Sequence, residues 1–340
     1  MIETIYLDNA ATTKPIPQVI EAINNCLQED WGNPSSIHDM GRTARAKLEA
    51  TRRTVADFVG AKSEEIIFTS GASESNSLAI CGFLKKRKRR IITSAIEHSS
   101  IRKITEDYAV TDIVPVNRFG MVDVDQISRI VHKYNGVLHT DATQIIPDRP
   151  IDVNGIDMMS FSGQKFGTPK GVGVLYVRNG IKLSPIIYGM QERGLRGGTE
   201  NVPYIVGLGE AIKRLSYPKA KVRNHIAYRL LSEIDGCYIV GDVPGDNRLK
   251  NHISLCFTGI EGEALLLLLS QKGIYVSTGS ACSSGSSEPS RVLKEIGIPT
   301  RDLHSVIRIT TDIGTSIQDG DIAVDEIKHC VQKLRKVAVF

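Results

Sequence analysis

Residues 66–76 read Ile66-Ile67-Phe68-Thr69-Ser70-Gly71-Ala72-Ser73-Glu74-Ser75-Asn76. A short apolar, β-branched run ends on Ser-Gly, and the opening of a helix follows at once. A strand that feeds a helix through a glycine is a repeating unit of α/β proteins. Further buried strands are expected at 91–94, 110–116, 137–140, 158–162 and 172–177. Helical spacing of Ile127, Ile130, Val131 and Tyr134 places a helix over 122–134. This alternation predicts a largely parallel sheet with helices on both faces. Ligands in such sheets bind beyond the carboxyl ends of the strands. The segments there are 71–73, 97–98, 141–144 and 162–165.

The pattern changes near residue 218. Helices over 202–215 and 222–234 precede strands at 238–240 and 253–257, a helix over 261–271 and a strand at 274–277. A helix from Pro289 to near Gly297, a strand at 306–310 and a last helix over about 319–334 complete the chain. That helix carries an apolar stripe of Ile322, Ile327, Val331 and Leu334. These elements predict a smaller α+β domain.

Composition narrows the function classes. Of 340 residues, 24% are charged and 41% apolar, with a formal net charge of +4. That balance fits an ordinary globular protein and gives no argument for direct nucleic-acid binding. The run at 85–90, Lys-Lys-Arg-Lys-Arg-Arg, reads as a solvated helix end whose cations suit the helix dipole. No apolar run approaches the roughly 20 residues of a membrane span, and no signal peptide is read at the start. A cytoplasmic protein without a membrane partner is expected. The six cysteines form no CxxC pair and no zinc spacing, so no metal is expected. Five lie in apolar or helical contexts. Cys282 lies in Ser277-Thr278-Gly279-Ser280-Ala281-Cys282-Ser283-Ser284-Gly285, a small, polar stretch suited to a mobile loop.

Four features could carry chemistry. Lys165 follows a buried strand in Ser160-Phe161-Ser162-Gly163-Gln164-Lys165, where an amine could bond an aldehyde cofactor, though most lysines are surface groups. Asp141 ends another strand and needs a partner, either a cofactor nitrogen or a turn N–H. Gly71-Ala72-Ser73 could cradle a phosphate or simply cap a helix. His98 could lie on a cofactor ring or be structural.

In combination these stretches resemble the NifS/IscS-type cysteine desulfurases of the class V aminotransferase group, pyridoxal phosphate (PLP) enzymes of fold type I. The matching stretches run nearly end to end: YLDNAATT (6–13), WGNPSSIH (31–38), FTSGASESN (68–76), EH (97–98), DATQ (141–144), SFSGQK (160–165), GTPKGVG (167–173), LRGGTEN (195–201), STGSAC (277–282) and IRIT (307–310). The resemblance implies a large PLP-binding domain over 14–218. It implies a small domain from 1–13 and 219–340 that carries a mobile cysteine loop at about 278–289. It implies that Lys165 bonds the cofactor, Asp141 meets the pyridinium nitrogen and His98 stacks on the ring. Gln144 lies near the phenolic oxygen. Ala72, Ser73, Ser162 and Gln164 hold the phosphate, with Thr199 reaching across from the other subunit of a homodimer. Asn33 and Arg308 bind the carboxylate of L-cysteine, since a guanidinium fork matches a carboxylate. Cys282 becomes the persulfide that passes sulfur to an acceptor protein.

Departures from the pattern matter. The family usually has histidine where this chain has Gln164; glutamine keeps a hydrogen-bond donor but not acid–base chemistry. Only 42 residues separate His98 from Asp141, and the family's V-N-N-E-x-G strand is missing from them. A β-plus-helix unit is gone. The expectation is a gap in the cofactor pocket and in the sheet, with Gln144 left alone near the phenolic oxygen. The chain also ends soon after its last helix, without the tail that family members use on iron–sulfur scaffold proteins. A tRNA-thiolation or DNA phosphorothioation acceptor is therefore as compatible as a scaffold. The rival readings are a selenocysteine lyase or related PLP lyase, and a degenerate paralogue acting as a binding subunit.

Overall fold

The computed structural model describes residues 4–85, 87, 90–107, 111–114, 123–242, 248–278 and 289–337. The first half runs β1 (Ile5–Tyr6), α1 (Pro17–Glu29), α2 (Asp39–Val59), β2 (Ile66–Thr69), α3 (Ala72–Leu84), β3 (Ile91–Ser94), α4 (Ser99–Glu106), β4 (Thr111–Val114), α5 (Val124–Lys133), β5 (His139–Asp141), β6 (Met158–Ser162) and β7 (Gly173–Val177). The second runs α6 (Gln191–Gly194), α7 (Val202–Lys213), α8 (Ala220–Glu233), β8 (Cys237–Val240), β9 (His252–Phe257), α9 (Gly262–Gln271), β10 (Ile274–Tyr275), α10 (Arg291–Glu295), β11 (Val306–Thr310) and α11 (Ile317–Val337).

Strands β2, β7, β6 and β5 form one sheet in that order. β7 runs against β2 and β6, and β5 runs parallel to β6, so three of the four strands share a direction. The pleat divides their side chains between two faces. Ile66, Phe68, Met159, Phe161, Val174 and Tyr176 enter one core with α1, α2 and α7. Ile67, Met158, Leu175 and Val177 face the other way, onto Leu78 and Ala79 of α3. Near-continuous apolar strands follow from burial on both faces.

The parallel strands are divided between two sheets, in line with the gap expected from the missing unit. β3 and β4 pair with each other in parallel and stand apart from β5. No strand among the described residues lies between β5 and β3, as the shortened interval after His98 implies. Ile92 is correspondingly 70% exposed, unusual for an apolar strand residue.

The free edge of β2 is covered by side chains. Arg52 of α2 makes a double ion pair with buried Glu192 at 2.8 Å for each contact. Glu192 also accepts from the Phe68 N–H at 2.9 Å, and Arg52 and Arg193 donate to the Ile66 carbonyl at 2.9 and 2.6 Å. Glu192 and Arg193 adopt left-handed backbone (φ 45° and 60°) to reach this position. The ion pair meets both the charges and the edge.

A second core gathers α8, α9 and α11 around the antiparallel sheet β11-β9-β8. Ile5 and Leu7 belong to it, because β1 pairs in parallel with β10. The N-terminus thus joins the C-terminal elements. The expected strand at 274–277 is β10 followed by an isolated bridge from Ser277 to Arg308. The basic run is partly tied to its own protein: Lys85 lies over Tyr188, Arg87 donates to the Phe83 and Lys182 carbonyls, and Arg90 pairs with Asp112. No described helix is long and apolar enough to cross a membrane, and no described cluster of His, Cys, Asp or Glu could hold a metal.

Candidate active site

The carboxyl ends of β2, β6 and β5 lie at one edge of their sheet, since these strands run the same way. Each is followed by an expected site segment. After β2, Gly71 caps α3, whose first turn contains Ala72 and Ser73. First-turn N–H groups have no acceptor within their helix. Gly173 at the start of β7 faces this turn. A methyl group there would meet the Gly71 backbone at 2.5–2.8 Å, so only glycine allows the approach. Ser162, at the end of β6, is buried and donates at 3.4 Å to the Val172 carbonyl.

Lys165 ends the single 3₁₀ turn Gly163–Lys165 that follows β6. Its Nζ donates to the Ala10 and Ala11 carbonyls at 2.8 and 2.6 Å. Gln144 Nε2 donates to the same Ala10 carbonyl at 3.0 Å, bringing residues 144 and 165 onto one N-terminal segment. Thr13 donates through N and Oγ1 to the Gln164 carbonyl at 2.9 and 3.0 Å, which fixes the turn itself.

Asp141, at the end of β5, is held at both oxygens. Asn76 Nδ2 donates to Oδ2 at 2.8 Å and the Thr143 N–H to Oδ1 at 3.0 Å. Two titratable neighbours flank it. Burial drives the His139 imidazole down to about 4, against the pull of Asp141, so it is neutral at pH 7; its Nε2 meets Ser160 Oγ at 2.8 Å. Burial, with the Asp141 charge adding to it, lifts the Glu97 carboxyl above its ordinary value, although Ser94 Oγ donates to it at 2.6 Å. His98 is exposed and caps α4: its Nδ1 accepts from the Ser100 N–H at 3.2 Å.

Arg308 on β11 is largely buried and binds Asp8 at 2.6 Å through Nη2. Its backbone N–H donates to the Ser277 carbonyl at 2.6 Å, beside the start of the cysteine stretch. Asn33 is exposed, and its side chain accepts from the Ser35 N–H at 2.9 Å. Thr199 is also exposed. Cys282 and most of the expected loop at 278–289 lie outside the described residues. A cavity of about 320 Å³ is present elsewhere, lined by Arg45, Glu49, Arg52, Glu192 and Glu200; none of the residues around Lys165 borders it.

The structure thus gathers Lys165, Asp141, Gln144 and the Ala72–Ser73 turn around one sheet edge and the 8–13 segment. Arg308 joins them through Asp8. The spacing gave no sign of Asn76, Ser100, His139, Glu97 or Asp8 as partners.

A family model described as aminotransferase class-V matches residues 5–117 and 102–322. This chain belongs to the class-V aminotransferase family. The two matched pieces of the family model meet inside the shortened interval between His98 and Asp141. Among class-V relatives, a "Cysteine desulfurase IscS" from Dictyoglomus turgidum is 38% identical over 100% of this chain and 98% of its own length. That alignment spans 387 positions against 340 residues here, so the relative has stretches without a counterpart in this chain. A solved structure titled "NIFS-LIKE PROTEIN" superposes with a TM-score of 0.88 at 32% identity, covering 98% of this chain and 100% of that one. Another, titled "SspA in complex with cysteine", gives 0.81 at 30% identity over 92% and 100%. Within the class-V family the chain is a NifS/IscS-type protein of PLP fold type I. Its residues fit that cofactor on their own chemistry. They offer an amine for an aldehyde, a doubly anchored carboxylate for a ring nitrogen, and a helix N-terminus approached closely through Gly173 for a phosphate.

Proposed function

We propose that the chain is a PLP-dependent cysteine desulfurase that takes sulfur from L-cysteine and passes it as a Cys282 persulfide to an acceptor protein. The observation that carries this reading is the convergence of Lys165, Asp141 and the Ala72–Ser73 turn at one edge of one sheet. The family supplies the reaction class.

PLP when bound supplies an electron sink for carbanion chemistry at the substrate. Lys165 would hold it and, once released, move the proton on the cysteine Cα. Asp141 would keep a proton on the ring nitrogen. Ala72, Ser73, Ser162 and Gln164 would seat the phosphate, with Thr199 from a second copy, and Gln144 would face the phenolic oxygen. His98 would stack on the ring and serve proton transfer. Arg308 and Asn33 would orient the substrate carboxylate. A Cys282 thiolate would then attack the substrate sulfur: the Sγ–S bond forms, the Cβ–S bond breaks, and alanine leaves. In this reading residues 14–218 form the PLP domain, and residues 1–13 with 219–340 the domain that carries the cysteine loop. The enzyme is a homodimer with an open pocket beside the missing strand. The cytoplasm suits it, because Cys26, Cys237, Cys256 and Cys330 are free thiols.

The test is direct. Purified protein should be yellow with PLP and release alanine and sulfide from L-cysteine under dithiothreitol. Lys165→Ala should lose the colour and both products, and Cys282→Ala should keep the colour and lose sulfide release. A preparation that stays colourless with added PLP would overturn the enzyme reading in favour of a binding subunit. That alternative draws on the divided sheet. The acceptor is to be identified by pull-down with the Cys282 protein against the Cys282→Ala protein.

A further inference from the structure

Asp141 and His98 follow β5 and β3, the two strands between which the sheet is divided. No ladder of backbone hydrogen bonds fixes these strands to each other among the described residues. Their site residues are nevertheless joined through one side chain. Asn76 of α3 is completely buried. Its Nδ2 donates to Asp141 Oδ2 at 2.8 Å and to Ser100 Oγ at 2.9 Å. Ser100 Oγ lies 2.8 Å from His98 Nδ1.

The donor directions are set by chemistry. Ionised Asp141 can only accept, so the nitrogen of Asn76 must face it; the amide cannot be flipped. Both amide hydrogens are then used, one on each side of the gap. Ser100 Oγ accepts from Asn76 and has its own hydrogen left for His98. The Ser100 backbone N–H can only donate, and it points at the same Nδ1 at 3.2 Å. Nδ1 is therefore an acceptor, and the neutral ring carries its proton on Nε2.

We propose that Asn76 is a positioning residue that ties Asp141 to His98 across the divided sheet, orienting the carboxylate and, by holding Ser100 Oγ as a second donor to Nδ1, supporting the Nε2–H tautomer of His98 that the Ser100 N–H selects. The inference rests on the PLP reading for its functional meaning, but the tautomer belongs to the chain alone. Asn76, on α3, links by its side chain two site segments that share no backbone ladder among the described residues. A donor is required there, and bulk alone does not serve: the buried Asn76 Oδ1 has no partner among the described residues.

The experiment uses the full chain with ¹⁵N-labelled histidine, with the His98 signals assigned by His98→Gln. Without cofactor, the parent should show Nδ1 unprotonated and Nε2 protonated at pH 8. Ser100→Ala and Asn76→Ala should both shift the His98 Nδ1 signal, because its hydroxyl donor is removed or released, while the backbone N–H of residue 100 keeps the Nε2–H tautomer. With PLP bound, Asn76→Ala should weaken retention about tenfold, the effect of one charge-assisted hydrogen bond, while Ser100→Ala should leave it within about twofold. Asn76→Leu keeps the bulk and removes the donors, so it should behave as Asn76→Ala. His98 shifts that stay put in both Ser100→Ala and Asn76→Ala would overturn the proposal, as would normal PLP retention in Asn76→Leu. A parent that fails to bind PLP would defeat the cofactor reading, and the ring shifts would still decide the tether.

Discussion

Arg308 enters the site already oriented. Asp8 holds one end of its fork, and its buried Nε has no partner among the described residues. A guanidinium so placed keeps donors for a substrate carboxylate, and a lysine cannot reproduce that planar geometry. Arg308→Lys should raise KM for cysteine roughly 10- to 100-fold, equivalent to a charge-assisted hydrogen bond of about 1.5–3 kcal/mol, with a smaller change in kcat. Steady-state alanine formation reads this out, and an unchanged KM would remove Arg308 from substrate binding. At this scale the sequence was legible wherever a residue sits in a local pattern. Lys165 after SFSGQ and Asp141 before ATQ are of that kind as placements at strand ends, while their roles came from the family resemblance. Asn76, Ser100 and Asp8 were not legible as partners. Their hydrogen bonds run between elements 24, 65 and 300 residues apart, and chain spacing carries no trace of such contacts.

Elements were read more easily than their edges. The strand residues of β2 and β6 were apparent from apolar character, because both faces of their sheet are covered. What protects the edge of β2 was not, since Glu192 and Arg193 depend on backbone conformations that no propensity favours. Glu192→Ala would leave Arg52 charged and buried and the Phe68 N–H without its acceptor. It should cost about 3–5 kcal/mol in urea unfolding, and the double change with Arg52→Met should recover part of that. Full additivity of the two changes would refute the coupling. The turn into α3 makes a second demand. Gly173→Ala sets a methyl group against immovable Gly71 backbone, so α3 must shift away from β7. Weaker PLP retention by about tenfold or more is expected, with little change in secondary structure by circular dichroism. Retention equal to the parent would show that the turn is not the phosphate seat.

At the scale of the whole molecule, two separate sheets each hold a neutral histidine. His139 on β5 is held to about 4 by burial. His252 on β9 is held to about 3 by burial, reinforced by the guanidinium groups of Arg248, Arg308 and Arg223. The expected smaller α+β unit was apparent from its strand and helix order. The inclusion of Ile5 and Leu7 in its core was not, because the β1–β10 pairing spans nearly the whole chain. Unfolded histidines titrate near pH 6.5, whereas these two stay unprotonated in the native state to much lower pH. Between about pH 6.5 and 4 the unfolded chain therefore binds protons that the folded chain does not, and stability must fall as pH falls. Each histidine contributes a slope approaching 1.4 kcal/mol per pH unit, or about 2 kcal/mol each between pH 7 and pH 5. The His139 contribution levels off near 4, and that of His252 continues to about 3. Carboxylates with lowered values, such as Glu74, add the same sign only below their ordinary range, whereas Glu97 and Glu200, raised by burial, oppose the histidine slope just above that range. Urea midpoints should drop clearly from pH 7 to pH 5 in the parent and less steeply in His252→Gln. Equal midpoints at the two pH values would mean that neither imidazole is held neutral by the fold.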